Sequence, residues 1–144
     1  MNYILDTNVV SEMMRPQPDV HVHSWVTRKV LSQLFVTATT INEITFGLQR
    51  LPAGRRRQEI QVHLNDLVNR RFAGRILPFD KAAAVRCGEI RAAAMMRGRP
   101  AGFADAEIAA VALTHSMTVA TRDLDDFAVF GVPLVDPFDP KAVA

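Results

Sequence analysis

Brief apolar runs alternate along this chain with longer stretches in which apolar residues recur every three or four positions. The brief runs predict strands at 3–5, 34–36, 76–77, 118–120 and 132–135. The stretches between them predict helices over 9–14, 19–30, 40–51, 55–71, 81–97 and 104–115. Short strands separated by helices are typical of a mainly parallel sheet that is covered on both faces. We therefore predict an α/β fold, a three-layer α/β/α sandwich with four to five short strands, as a single domain over 1–144.

Composition narrows the class of protein. Hydrophobic residues make up 49% of the chain and charged residues 22%, as is usual for a soluble globular protein, and no apolar stretch approaches the roughly 20 residues that span a bilayer. The N-terminus has neither a basic segment nor a long apolar segment of the kind that directs export. The single cysteine, Cys87, falls in an apolar helical pattern and is interpreted as a buried, unreactive thiol. A reducing compartment and a cytoplasmic location are expected.

Four acidic residues occupy comparable places, and each has an ordinary local explanation. Asp6 directly follows the first strand, where it or Asn8 would cap a helix. Glu43 completes the capping-box pattern that begins at Thr40. Asp105 lies in a first helical turn, where the helix dipole favours an acid. The fourth acid, Asp123, follows the strand at 118–120. Its ordinary explanation, which also applies to Asp125 and Asp126, is that it forms part of a turn or caps the next helix.

Taken together, these acids predict a metal site. Ligands gather at the carboxyl ends of parallel strands, and that is where the fold would bring all four carboxylates. Carboxylates held this close repel one another, so that one must take up a proton unless a cation lies between them. Oxygen ligands suit Mg²⁺ or Mn²⁺, and such an ion can activate water to hydrolyse a phosphodiester bond. Zinc is disfavoured because no ligand spacing links Cys87 with the histidines at 21, 23, 63 and 115.

The basic residues are unusually rich in arginine. Arginine accounts for fourteen of the seventeen lysines and arginines, and clusters occur in RLPAGRRRQ (50–58) and NRRFAGR (69–75), although the net charge is only +2. Arginine suits phosphate recognition, but such runs are equally typical of solvated helix faces. The candidate phosphate-binding residues are Arg50, Arg55, Arg56, Arg57, Arg70 and Arg71.

Four stretches in order resemble the successive motifs of PIN-domain ribonucleases, in particular the VapC-type (FitB-like) toxins of bacterial type II toxin-antitoxin systems. They are DTNVVSE at 6–12, the helix start at 40–43, GRPAGFADAEIAAVAL at 98–113 and TRDLDDF at 121–127. The resemblance covers nearly the whole chain. It implies Mg²⁺- or Mn²⁺-dependent cleavage of RNA, a homodimer and a small cognate antitoxin that blocks the site.

The resemblance also implies a role for individual residues. Asp6, Glu43, Asp105 and Asp123 match the acidic metal-binding and catalytic quartet, with Asp123 acting directly or through a water molecule. The matching supporting positions are Thr7, Asn8, Thr121 and Asp126. Glu107 is left out of the site because it lies about 200° around the helix from Asp105.

Two other functions remain open at this point. A phosphatase of the HAD-like class would also place an acid after its first strand, but it needs a second acid two residues later, where this chain has Asn8. A PIN-like module that binds an antitoxin or RNA without cutting would favour the loss of one or more acids, and all four are present.

Overall fold

The computed structural model describes residues 1–143. Five strands form one parallel sheet: β1 (Tyr3–Leu5), β2 (Leu34–Thr37), β3 (Ile76–Leu77), β4 (Thr118–Ala120) and β5 (Leu134–Val135). Their order across the sheet is β3-β2-β1-β4-β5, which makes β1 the central strand. The predicted parallel α/β sheet is confirmed.

Helices connect the strands. Within residues 1–143 the α-helices are α1 (Thr7–Met13), α2 (Val20–Thr27), α3 (Ala38–Gln49), α4 (Arg55–Asp66), α5 (Lys81–Met96), α6 (Phe103–Thr114) and α7 (Leu124–Ala128). A π-helical turn at Leu67–Arg71 extends α4, and short 3-10 turns lie at Leu31–Gln33 and Pro140–Val143. None of the helices in this part of the chain combines the length and apolar character needed to cross a bilayer.

Apolar side chains on the two faces of the sheet form two separate cores, which confirms the three-layer arrangement. Ile4 and Val119 belong to the core beneath α5 and α6, whereas their neighbours Leu5 and Ala120 belong to the core beneath α1 and α2. This alternation follows from the two-residue period of a strand. Each central strand is therefore fixed by packing on both faces.

The strand order produces a crevice at one edge of the sheet. From β1 the chain moves outward through β2 and β3, then returns to the other side of β1 with β4 and continues outward to β5. The connections leaving β1 and β4 therefore diverge between these neighbouring strands. In open α/β sheets, ligands bind at such a switch point, beyond the carboxyl ends of the strands.

Several predicted boundaries are wrong by a few residues. Helix α1 begins at Thr7 rather than at position 9, because the Asp6 carboxylate accepts a hydrogen bond from the Thr7 backbone N–H and caps the helix. The predicted helix over 55–71 changes from α- to π-helical geometry after Asp66. The segment from Asp123, interpreted only as turn and cap chemistry, forms the short helix α7.

The start of α3 is also corrected. Thr37, not Thr40, is the N-cap, and its hydroxyl accepts a hydrogen bond from the Thr40 backbone N–H at 3.1 Å. Helix α3 therefore begins at Ala38, and Glu43 lies in its second turn instead of completing a capping box. The error arose because a threonine occupies both positions, and only the end of β2 decides which of them precedes the helix.

Candidate active site

Asp6 lies at the switch point, directly after β1, and its side chain is almost completely buried. Its Oδ1 accepts the capping bond from the Thr7 N–H at 2.7 Å, and its Oδ2 accepts a bond from the Thr121 hydroxyl at 2.7 Å. Burial raises the pKa of Asp6 to about 6, against the opposing effect of these hydrogen bonds, and the charges of Asp123 and Glu43 raise it further. The fold thus holds this carboxylate firmly while disfavouring its charge.

Glu43 extends from α3 into the same site, where a series of hydrogen-bonded hydroxyl groups holds its carboxylate. The Thr7 hydroxyl donates to Glu43 Oε1 at 2.5 Å and lies 2.9 Å from the Thr40 hydroxyl. The Thr37 hydroxyl in turn donates to that of Thr40 at 3.4 Å. Because each hydroxyl has one proton, these contacts run in one direction, from Thr37 through Thr40 and Thr7 to the carboxylate. Glu43 is exposed, yet its orientation is fixed from the buried side.

Asp123 is held by residues that follow β1 and β4. Asn8 Nδ2 donates to Asp123 Oδ2 at 3.0 Å, and the Asp123 backbone N–H donates to the Thr121 hydroxyl at 2.9 Å. Thr121 therefore contacts both Asp6 and Asp123 and joins the two segments across the crevice. The supporting residues Thr7, Asn8 and Thr121 each contact at least one of the four acids.

Asp105 enters the site in the first turn of α6, whose N-cap is Gly102. Its carboxylate accepts no hydrogen bond from any residue in 1–143. Burial raises the pKa of Asp105 to about 6, and the negative charges that raise it further are those of Asp6, Asp126, Glu43 and Asp123. Asp126 also lines, with Asp105, a polar cavity of about 210 Å³. The structure therefore brings the four predicted acids and Asp126 within electrostatic range of one another.

These carboxylates form no ion pair within residues 1–143, although Arg99 lines the cavity shared by Asp105 and Asp126. The ion pairs within residues 1–143 are Arg15–Glu12, Arg55–Glu59 and Arg70–Asp66, and none includes an acid of the site. Oxygen ligands with uncompensated negative charge fit a hard divalent cation such as Mg²⁺ or Mn²⁺. In the described part of the chain, however, no three Asp, Glu, His or Cys side chains are arranged to hold one ion together. The residues fit an ion bound by one or two carboxylates and completed by water.

The structure separates the candidate arginines. Arg55 pairs with Glu59 at 3.0 Å and Arg70 with Asp66 at 2.5 Å, both one helical turn apart. Arg57 donates to Gln49 Oε1 at 2.5 Å. These side chains are engaged by neighbours on their own or the adjoining helix, as expected for solvated helix faces.

Two of the three remaining arginines in the candidate set also lie outside the cavities beside the carboxylates. Arg50 stacks over the Phe46 ring at 5.4 Å. Arg71 lies in the π-helical turn, where its carbonyl accepts a bond from Arg75. Neither lines the cavities next to the acidic residues.

Arg56 alone of this set lines a groove of about 830 Å³ that begins beside Asn8. It makes no hydrogen bond or ion pair with the other residues in 1–143. Arg122, which sequence reasoning missed, lines the same groove. Its position between Thr121 and Asp123 was the signal that would have singled it out. Two arginine side chains thus line a groove that begins beside Asn8, a residue that donates a hydrogen bond to Asp123.

Cys87 is buried as predicted, and burial raises the pKa of its thiol. A raised pKa disfavours the reactive thiolate at neutral pH. The predicted unreactive thiol agrees with this environment.

Comparison with known proteins identifies the family. The PIN domain family model matches residues 3–132. VapC ribonuclease Y4jK of Sinorhizobium fredii (strain NBRC 101917 / NGR234) is 39% identical over 137 residues, which are 95% of this chain and 98% of the relative. Toxin FitB of Neisseria gonorrhoeae (strain ATCC 700825 / FA 1090) is 38% identical over 94% of this chain and 97% of its own.

A solved structure agrees with these relatives. A chain in the structure of FitAB bound to an IR36 DNA fragment superposes with a TM-score of 0.88 at 38% identity, covering 95% of this chain and 96% of that one. The acidic residues and strands β1 to β4 lie within the region that the family model matches, and β5 follows just beyond it. The chain belongs to the PIN domain family, and within it is similar to VapC and FitB toxins.

Proposed function

We propose that this protein is a metal-dependent endoribonuclease that acts as the toxin of a type II toxin-antitoxin pair. The observation that carries the proposal is the group of carboxylates at the switch point, which are brought together without an ion pair to any residue in 1–143 and of which two have a pKa of about 6. A protein gains nothing in stability from such an arrangement, because like charges in a desolvated crevice repel. Relatives named as a VapC ribonuclease and a FitB toxin support the substrate class and the biological role.

We assign the metal to Asp6 and Asp105 as direct ligands, with Glu43 and Asp123 acting on it through water molecules. Bound Mg²⁺ or Mn²⁺ would lower the pKa of a water molecule and offset negative charge on the phosphoryl oxygens. Thr7 and the hydroxyl chain behind it hold Glu43 in place, while Asn8 and Thr121 orient Asp123. These bonds fix the carboxylates before substrate binds, which lowers the cost of organising the site.

The RNA strand is proposed to enter along the groove beside Asn8. Arg56 and Arg122 line this groove and supply positive charge close to the carboxylates. Guanidinium groups bind phosphate oxygens in a planar, two-pronged geometry. The RNA backbone would thereby be guided toward the acidic crevice, whose own negative charge would otherwise repel it.

The assembly and location of the protein follow from the same proposal. We expect a homodimer of about twice the 16.0 kDa chain mass and a small antitoxin encoded beside it. The solved FitAB structure supports an antitoxin partner for this chain. A cytoplasmic location is proposed because RNA is the substrate.

Cleavage of RNA by the purified chain, freed of any partner, tests the proposed activity. We expect cleavage of total RNA with Mg²⁺ or Mn²⁺, no cleavage with EDTA, and recovery when metal is restored. Co-purification of the product of the adjacent small open reading frame should suppress cleavage. RNA left intact in several sequence contexts with either metal would instead favour the non-catalytic binding module. Membership of the PIN family already argues against the phosphatase alternative.

A further inference from the structure

A partly buried hydrogen bond joins the helices that carry two of the acidic residues. The Thr39 hydroxyl on α3 donates to Glu107 Oε1 on α6 at 3.0 Å. Thr39 is 6% exposed, and Glu107 is partly buried. A hydrogen bond to a charged acceptor, shielded from water, is stronger than one between neutral groups at the surface. This contact therefore resists separation of the two helices.

The bond lies close to the acids in both helices. Glu43 follows Thr39 by four residues and so shares its face of α3. Asp105 precedes Glu107 by two residues in the first turn of α6. Among the side-chain hydrogen bonds described for residues 1–143, no other joins α3 to α6. The relative position of Glu43 and Asp105 thus depends on this link as well as on apolar packing.

Glu107 is not placed to act as a metal ligand itself. The charges that raise the pKa of Asp105 come from Asp6, Asp126, Glu43 and Asp123, and that of Glu107 is not among them. The Glu107 charge instead raises the pKa of Cys87 on α5. Glu107 thus bonds to Thr39 on α3 and lies within electrostatic range of Cys87 on α5.

We propose that the Thr39–Glu107 hydrogen bond is a positioning clamp that holds Glu43 and Asp105 close enough to bind one divalent cation. Both carboxylates are negative, and they repel each other whenever the cation is absent. A link one turn from Glu43 and two residues from Asp105 opposes that repulsion. Glu107 is accordingly a positioning residue that acts on the site without being part of it. The inference rests on the metal site of the proposed function.

Mn²⁺ titration by isothermal calorimetry, without RNA, tests the clamp. Thr39→Val keeps the side-chain shape but removes the donor, and Glu107→Leu removes the acceptor. We expect each to raise the Kd for Mn²⁺ about threefold to tenfold, which is at or below the 10–100-fold effect of groups bonded directly to a metal ligand, because this bond acts on Glu43 and Asp105 only through their helices. The double variant should bind no more weakly than the poorer single variant, because both changes break the same bond.

Conservative variants show whether Glu107 acts through its hydrogen bond or through its negative charge. Thr39→Ser retains the donor and Glu107→Gln retains the acceptor oxygen, so both should bind Mn²⁺ within about twofold of the parent. Glu89→Ala removes an exposed acid from α5 and should also leave the Kd unchanged. Circular dichroism in EDTA identifies any variant that fails to fold. If either Thr39→Val or Glu107→Leu fails to fold, the Kd of the other variant for Mn²⁺ tests the clamp.

Two results would overturn the clamp. One is parental Mn²⁺ affinity in folded Thr39→Val and Glu107→Leu, and the other is a Glu107→Gln that binds as weakly as Glu107→Leu, which would show that charge alone matters. Cleavage assays separate this inference from the proposed function. A parent that binds Mn²⁺ but leaves RNA intact would refute the nuclease and retain the clamp, whereas a parent that binds no Mn²⁺ would refute the clamp as well.

Discussion

The carboxylates at the switch point and the arginines of α4 are both dense groups of charge, but the fold treats them in opposite ways. Asp6, Glu43 and Asp123 come from distant segments and are held by neutral hydroxyl and amide donors. Arg55 and Arg57 are close in sequence and are engaged by acceptors on their own or the adjoining helix. Charge that the structure gathers and leaves uncompensated therefore indicates a ligand better than charge that is clustered in sequence.

The largest expected effect comes from removing one charge at the switch point. Asp105→Asn should reduce RNA cleavage by at least about 100-fold, because the lost carboxylate both binds metal and completes the negative site. Since this acid accepts no hydrogen bond, the same change relieves repulsion and should raise the Tm of metal-free protein at pH 8 by about 2–4 °C. Cleavage rates and thermal denaturation in EDTA measure the two effects.

Asp66→Asn is the matched control. It removes one acid from the arginine-rich region, where Asp66 pairs with Arg70 on an exposed helix face. Such pairs contribute little to stability, so cleavage and Tm should remain close to those of the parent. If Asp105→Asn cleaved RNA at the parental rate, the assignment of the site would be wrong. If Asp66→Asn lost as much cleavage activity as Asp105→Asn, the two acidic positions would not differ in function.

Asp6 should make the folded protein less stable as the pH rises, whereas a carboxylate with a lowered pKa makes it more stable. The pKa of Asp6 is about 6 in the folded protein and near 3.8 when unfolded. The folded state thus binds more protons over this interval, and its added stability is present in full below pH 3.8 and is lost as the pH rises through 6. Between pH 5 and pH 8 the loss is on the order of 1 kcal/mol for Asp6 alone.

Urea denaturation at several pH values in EDTA measures this loss. Mn²⁺ at about 100 times its Kd should then stabilise the protein by about 2.7 kcal/mol at pH 8, with less effect at pH 5, where protons compete for the same oxygens. Asp105→Asn should show a shallower decline than the parent. Stability that rises from pH 5 to pH 8 in EDTA would show that folding does not raise the pKa of these carboxylates.

The smallest effect concerns the arginines. Arg56→Ala should weaken RNA binding and lower the slope of log affinity against log salt by about 0.7, the value for one phosphate contact to a single strand. Arg55→Ala, one residue away and paired with Glu59, should leave the slope unchanged. Binding by catalytically inactive Asp105→Asn protein over a range of salt concentrations provides the measurement. Equal slopes for the two variants would assign Arg56 to the solvated helix surface.

Much of this architecture follows from local sequence. Strands at Tyr3–Leu5 and Thr118–Ala120 were predicted from brief apolar runs, and the acids that follow them were placed correctly at one edge of the sheet. The helix boundaries were less accurate. Thr37 and Thr40 are equally good caps by residue type, and only the end of β2 selects Thr37.

Contacts between distant segments required the tertiary structure. The Thr121–Asp6 bond spans 115 positions and the Thr39–Glu107 bond spans 68. Helical periodicity correctly placed Glu107 away from Asp105 but carried no information about the neighbouring helix. The sequence likewise could not show which arginine lines the groove, because the partners that hold the other arginines are known only from the structure.

The sequence by itself thus determined the order of strands and helices and the residue types available at the switch point, because both depend on local periodicity and on residues that end strands. The tertiary structure decided which carboxylates share a crevice, which hydroxyls fix them and which arginine of the candidate set lines the groove. These outcomes depend on distances of about 3 Å between atoms far apart in the chain, where hydrogen bonds either form or do not.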